Sequence, residues 1–343
     1  MIKLFRQIII LLLLFSGSAE AQLGGKSTFQ FLNLVTSARA AGLGGNDIAT
    51  RADDVTIALQ NPSQLQASMH QQLSMSYVGY MSGIRFGDVI YAHHFQKWGT
   101  FSGNIHFVNY GSTPRTDETG TVIGSFKAAE YAYGISYCKV LDSNLFLGAA
   151  LRGVFSNFDG NKSNGVVADI GLTYIVPAKL ICATLLVKNA GKQLKKYDNE
   201  EAAPLPFEIQ AGISKQLAKA PFRFSLIGQQ LQKFDLSYKD PNLNGTDPLT
   251  GEVKTQKITF ADKIMRHAII NAEILFTKSF NVRVGYNYMR RKELALTDKK
   301  GLSGMSFGFG FRINRFQLSY AYSVYIPSQA SSNFTISTNL NRF

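Results

Sequence analysis

The sequence predicts an all-β protein, a 14-stranded antiparallel transmembrane β-barrel with an N-terminal hatch folded into it. Three observations carry this. From about residue 71 onward, segments of about ten residues alternate apolar and polar side chains. The connections between them alternate short and long. Beyond the first residues, no stretch reaches the roughly 18 consecutive apolar residues that a membrane helix needs.

The alternation is clearest near the C-terminus. Met305, Phe307, Phe309, Phe311 and Ile313 fall on one face, with Gly304, Ser306, Gly308, Gly310 and Arg312 on the other. A period of two sustained this far describes a strand with two different faces. Fourteen such segments are expected, near 71–80, 84–95, 100–110, 128–140, 144–157, 164–176, 180–191, 206–217, 221–232, 266–277, 280–291, 302–313, 316–326 and 333–342. A soluble β-sandwich alternates too, so the loops must decide. Tight connections fall at Gln96 to Gly99, Leu141 to Ser143, Val176 to Lys179, Ala218 to Ala220, Thr277 to Ser279 and Asn314-Arg315. Every long one, at 111–127, 191–205, 233–265 and 292–301, lies in the other set. Short inner turns, long outer loops and an even strand number are the rule of outer-membrane barrels, which a sandwich has no reason to obey. The barrel is therefore placed at 71–343, in the cell outer membrane. Phe343 supplies an aromatic terminus, although it falls on the opposite parity to Phe334, Ile336 and Leu340.

Residues 1–21 read as a signal peptide, with Lys3 and Arg6 before the apolar run Ile8 to Phe15 and a small-residue close at Ala19-Glu20-Ala21. No cysteine follows directly, so no lipid anchor is expected. Residues 22–70 lack the strand pattern, hold Gly24-Gly25, Gly42 and Gly44-Gly45, and carry a short helix signal from Asp54 to Gln60. A disordered tail would place Phe29, Phe31, Leu32 and Leu34 poorly, so this segment is expected to be a hatch. Cys138 and Cys182 fall on strands three places apart, too far to bridge, and are read as packing residues.

The net charge of +13 raises nucleic acid as a partner, but the basic residues are scattered with no run of five. Anionic lipopolysaccharide and other outer-membrane lipid fit better, and no nucleic acid is expected.

Three longer stretches carry a resemblance. TFQFLNLVTSARAAGLGG at 28–45, DDVTIALQNPSQL at 53–65, and LPFEIQAGISKQLAKAPFRFSL at 205–226 followed by LQKFDLSY at 231–238 look like the PorQ family. That family is the outer-membrane barrel component of the type IX secretion system, similar in fold to PorV and the FadL-like transporters. Asn61-Pro62-Ser63 matches the Asn-Pro-Ala motif that ends the hatch in the wider superfamily, with Ser in place of Ala. The resemblance implies a scaffold of the attachment complex. It would anchor a PorZ-like surface protein, while PorU with PorV processes cargo and joins it to lipopolysaccharide. No catalytic residue, cofactor or metal is implied.

Among residues able to carry chemistry, His93-His94 are strand neighbours that point to opposite faces and cannot share a metal. His106 and His267 are the remaining luminal candidates. Parity places Arg152, Glu208, Arg223, Glu273, Arg283 and Arg312 in the lumen. Without a Ser–His–carboxylate set near the outer rim, these read as ion pairs made with each other and with the hatch, not as an active site. Tyr77, Tyr80, Tyr131, Tyr286, Tyr288 and Tyr322 read as the interfacial girdle. The 233–265 loop, with Lys239, Asp240, Asn242, Asn244, Asp247 and Glu252, is expected to join 111–127 in docking a partner. Two functions follow, a type IX scaffold or a FadL-like transporter of hydrophobic small molecules. A lumen sealed by ion pairs would favour the first, and an apolar tunnel with a lateral opening the second.

Overall fold

The computed structural model describes residues 27–198, 200–237, 245–246, 253–254, 258–294, 301–326 and 329–340. The signal-peptide residues 1–21, Phe343, and Lys239, Asp240, Asn242, Asn244, Asp247 and Glu252 lie outside them.

Fourteen strands close into one antiparallel barrel. They are β1 (Gln72–Gly79), β2 (Arg85–Phe95), β3 (Gly99–Thr116), β4 (Val122–Asp142), β5 (Leu145–Phe158), β6 (Asn161–Val176) and β7 (Ile181–Lys195). The circuit continues with β8 (Glu208–Gln216), β9 (Phe222–Gly228), β10 (Ala268–Ile274), β11 (Phe280–Asn287), β12 (Met305–Ile313), β13 (Phe316–Ile326) and β14 (Gln329–Asn339). Each strand pairs with its sequence neighbours, and β1 closes on β14 with Tyr77 opposite Phe334. Closure leaves no sheet edge in the hydrocarbon layer, as a spanning sheet requires.

The two faces separate as the alternation demands. Phe307, Phe309 and Phe311 of β12 are exposed on the outer wall, and Ser306, Gly308 and Gly310 between them are buried. Tyr77, Tyr131 and Tyr322 likewise face outward. Two tyrosines do not belong to that girdle. Tyr80 turns inward to pack edge-on against Phe86 and Tyr325, and the Tyr288 hydroxyl donates to Asp262 above the barrel.

The outer connections depart from simple loops. The 111–127 stretch is largely strand, since β3 and β4 continue their ladder from Ser112 opposite Lys127 to Thr116 opposite Val122. Its Thr, Val and Ile content favours strand, and a bulge after Asn109, with Gly111 at φ 77°, bends the ribbon as it leaves the wall. β7 similarly runs on to Lys195, into the expected 191–205 loop. The 280–291 segment is strand only to Asn287 and then turns into a helix. Above the rim, the helices Phe260–His267 and Tyr288–Leu294 pack together around Asp262. That carboxylate accepts from the Tyr288 hydroxyl at 2.7 Å, the Arg266 Nε at 2.9 Å and the Lys292 Nζ at 2.9 Å. Burial alone would raise its pKa, but the bonds from Tyr288, Lys292 and Arg266 outweigh it and hold the group at about 2.

Residues 27–70 lie inside the barrel. They form short 3₁₀ turns and one helix, α1 (Ala38–Gly42), which packs against β12, β13 and β14. The wall makes room at chosen places. Gly148 of β5 and Gly171 of β6 are register partners, and they face the Asn61-Pro62-Ser63 turn. A Cβ at Gly148 would stand 2.1 Å from the Ser63 nitrogen, and one at Gly171 would stand 2.2 Å from the Asn61 Oδ1. Neither obstacle is a flexible chain end, so any side chain at Gly148 must push the turn off the wall.

Gly148→Val is therefore expected to destabilise the docked hatch by about 2 kcal/mol, in the range of overpacked cores. Limited proteolysis of folded, heat-modifiable barrel will check it. Cleavage within 27–70 should accelerate at least tenfold while the wall stays resistant.

Candidate functional site

The candidate site is the contact between hatch and wall. The hatch turns satisfy part of their backbone internally, but the hatch has little regular structure and its other backbone groups need partners from outside it. Wall side chains supply them. The amide of Ala38 donates to the Thr335 Oγ1 at 2.9 Å, the Ser323 Oγ donates to the Ala41 carbonyl at 3.1 Å, and the Ser214 Oγ donates to the Ala49 carbonyl at 2.7 Å. Asn333 donates to the Val35 carbonyl at 2.8 Å and Asn271 to the Leu43 carbonyl at 3.2 Å. Each of these wall partners, acceptor or donor, is a short polar residue at an inward position of its strand.

Asn61 caps the turn that begins with Pro62. Its Oδ1 accepts from the Ser63 amide at 3.0 Å and from the Ser63 hydroxyl at 2.7 Å, and its Nδ2 donates to the Ile48 carbonyl at 2.8 Å. The Ser63 hydroxyl also bonds the Thr173 Oγ1 at 2.7 Å. The Ser63 hydroxyl thus joins the turn to the wall. Cys138 and Cys182 are both free and buried, and both touch this turn. The Cys138 thiol donates to the Ser63 carbonyl at 3.5 Å, and the Gln64 Nε2 donates to the Cys182 sulfur at 3.8 Å.

One ionic hub ties α1 to the wall. Glu273 of β10 accepts from the Arg39 Nη2 at 2.9 Å, the Arg223 Nη1 at 2.7 Å and the Arg283 Nε at 3.2 Å. Arg39 also donates from Nε to the Asp47 Oδ2 at 2.7 Å, so it bridges wall and hatch. Arg39, Glu273 and Arg283 are almost wholly buried. Three guanidinium groups on one buried carboxylate are stable only while that charge stays. A polar cavity of about 110 Å³ lies against the hub, with Lys278, Arg312 and Asp53 among its lining.

The six predicted luminal residues fall into four places. Arg223, Glu273 and Arg283 meet in the hub. Arg152 is separate, pairing with Asp169 at 2.5 Å and the Asn189 Oδ1 at 3.0 Å. Glu208 accepts from the Gln230 amide at 3.0 Å, apart from any guanidinium. Arg312 is partly exposed at the inner end, bonding Gln317 at 3.1 Å and lying 3.9 Å from Asp53 of the hatch. Arg223, Glu273, Arg283 and Arg312 thus pair with one another or with the hatch, whereas Arg152 and Glu208 take other partners on the wall. Strand parity gives facing but not height, and the strand tilt separates residues that share a face.

Arg39, Asp47 and Asn189 were not singled out from sequence. Arg39 had a signal, as a lone cation among Ala and Gly in the hatch. Asn189 had none, because it enters the lumen through a bulge opposite Asp169, at φ 56°. His106 and His267 do not meet. His106 packs edge-on against Phe31, while His267 caps the outer rim by bonding the Gln229 carbonyl at 2.8 Å.

Structural comparison decides the fold class. A crystal structure of the P. putida toluene transporter TodX superposes with a TM-score of 0.54 at 12% identity, over 89% of this chain and 98% of that chain. The fold is FadL-like. A second TodX crystal structure gives a TM-score of 0.51 at 12% identity, over 88% and 96% of the two chains. A Pseudomonas aeruginosa FadL homologue gives 0.49 at 10% identity, over 92% and 100%. No protein-family model matches this chain, and no curated protein matches it by sequence. The FadL-like barrel and its hatch therefore rest on geometry, at identities too low to transfer any residue's role.

Glu273→Gln removes the hub's charge while keeping its shape. It should cost roughly 3–5 kcal/mol of hatch docking, as for other broken buried pairs. In planar bilayers the variant should show long channel openings where the wild type stays closed, and unchanged closure would remove the hub as the seal.

Proposed function

We propose that this barrel passes small apolar molecules across the outer membrane, with the hatch as its gate. The observation that carries this reading is the character of the hatch–wall contact. Around α1 the contact is made by hydrogen bonds from short side chains, small-residue packing and the Glu273 hub, while larger apolar clusters anchor the hatch elsewhere, at Phe29, Phe31 and Leu32 and at Val55, Leu65 and Met69. The α1 side can part at lower cost than those anchors, because water replaces hydroxyl and amide partners more readily than it replaces an apolar core. The solved structures of a toluene transporter share this fold over nearly their whole length, which supports the reading.

A lock on the gate tests it. Ala41 and Ala321 pack in one cluster, so Ala41→Cys with Ala321→Cys, in a Cys138→Ser, Cys182→Ser background, joins α1 to β13. Cells making the wild type should take up labelled toluene several-fold faster than cells without it. The oxidised lock should fall to the background rate, and a reductant should restore uptake. Equal uptake with and without the lock would refute a hatch gate.

The second reading is the type IX scaffold implied by the PorQ resemblance, with a PorZ-like surface protein as direct partner and PorU and PorV in a larger complex. Two structural features favour it, the luminal ion pairs around Glu273 and the outer architecture. The β3–β4 ribbon projects with Val122 and Ile123 exposed, and Phe234, Phe260 and Ile264 are exposed by the rim helices. In this reading lipopolysaccharide meets the barrel's basic outer elements. Gentle solubilisation and pull-down of tagged chain should then recover a large surface protein in equal amount, and deletion of 239–256 should lose it. A lone barrel, in an assay that recovers a known complex, would sink the scaffold.

A further inference from the structure

The outer wall carries a recess that neither functional reading uses. On β12, β13, β14 and β1, Phe309, Tyr320, Phe334 and Tyr77 form one cross-strand row of rings. Phe309 and Tyr320 have centroids 5.8 Å apart, and Tyr320 and Phe334 4.8 Å apart. The row then reaches Gly87, which has no side chain, and resumes at Phe107, whose ring would lie 3.0 Å from a Cβ at Gly87. One step nearer the inner end runs an aliphatic row, Leu318, Ile336, Met75 and Val89. Between the two rows lies a cavity of about 420 Å³. That volume is in the range of ligand pockets, roughly 300–1,000 Å³.

The recess is blind. Behind it the β1–β14 ladder is unbroken from Gln72 opposite Asn339 to Gly79 opposite Ser332, and the β1–β2 ladder is unbroken as well. It therefore gives no passage to the lumen. It is central on its strands and continuous with the exposed apolar band, so what faces it is the hydrocarbon of the bilayer. Water cannot fill an apolar hollow at that depth without losing its hydrogen bonds, and an unfilled hollow forfeits the dispersion contacts of every lining atom. The bilayer supplies one filler of the right chemistry, a flexible hydrocarbon chain.

We propose that the groove between the aromatic and aliphatic rows is a binding site for one acyl chain of a bilayer lipid. The aromatic rings form its outer lip, the aliphatic row its inner lip, and the strands between them, at Ser76, Asp88, Ser319 and Thr335, its floor. Association here is driven by packing, since hydrocarbon gains nothing by leaving hydrocarbon, and packing is what distinguishes this groove from the convex wall elsewhere.

The mature barrel, folded in detergent, provides the test. With Trp98→Phe removing the single tryptophan, Ile105→Trp places a reporter beside Val89, and Leu151→Trp places a control on the outer face of β5. Those two positions are 44% and 51% exposed in the native chain, so they meet detergent alike. Phosphatidylcholine with brominated acyl chains, added at a few molecules per barrel, should quench the Ile105→Trp reporter saturably at one lipid per barrel. The quenching should be at least fivefold stronger than at the control. Val89→Phe and, independently, Leu318→Phe fill the groove and should each abolish that excess in barrel that still shows heat-modifiable migration. Equal quenching at both positions overturns the proposal, as does quenching that survives either folded filling variant. Native mass spectrometry supplies a further arm. A lipid-free dimer that the filling variants turn into monomer would assign the groove to a second copy of the chain and overturn the lipid site.

Discussion

Everything inside this barrel follows from one hydrogen-bonding constraint. The wall's amides and carbonyls are already paired strand to strand, so the irregular hatch has to be satisfied by side chains. Inward positions are accordingly held by Ser214, Asn271, Ser323, Asn333 and Thr335, each long enough to reach a hatch backbone group and too short to fill the lumen. A longer side chain there would displace the hatch. An apolar one would leave a buried donor or acceptor unmade.

The same constraint explains the glycines and the charges. Where the wall meets hatch backbone, as at Gly148, or a hydrogen-bonded hatch side chain, as Gly171 meets Asn61, no side chain fits. Where a gap is too wide for hydroxyls, the wall uses Arg223, Glu273 and Arg283, and the hatch answers with Arg39 and Asp47. The hub is a buried ionic tie between the two parts and a fragile one, because Arg39, Arg223 and Arg283 all bond the Glu273 carboxylate.

The outer wall obeys the opposite rule. Its contacts are non-directional, so its chemistry is written in surface shape instead of in hydrogen bonds. Rings in register make ridges, and the strand floor between an aromatic and an aliphatic row makes a hollow. One wall thus presents a specific polar lining to the hatch and a shaped apolar relief to the membrane.

Much of this was legible in the linear chain, for a physical reason. Strand alternation and the short–long loop rhythm are local properties, so Phe307, Phe309 and Phe311 announce a lipid face before any fold is known, and all fourteen strands follow. Parity also gave the inward facing of Arg223, Glu273 and Arg283. Which inward residues meet depends on strand tilt, stagger and bulges, which are set by closure of the whole sheet. That is why Arg152 pairs with Asp169 and not with the hub, why Asn189 enters the lumen, and why the stretch after Asn109 stays strand instead of becoming loop. The sequence by itself determined the class of fold and the face of nearly every strand residue. Only the tertiary structure decided the partners, because a contact between hatch and wall joins residues hundreds of positions apart, as between Ala38 and Thr335, and no local pattern encodes it.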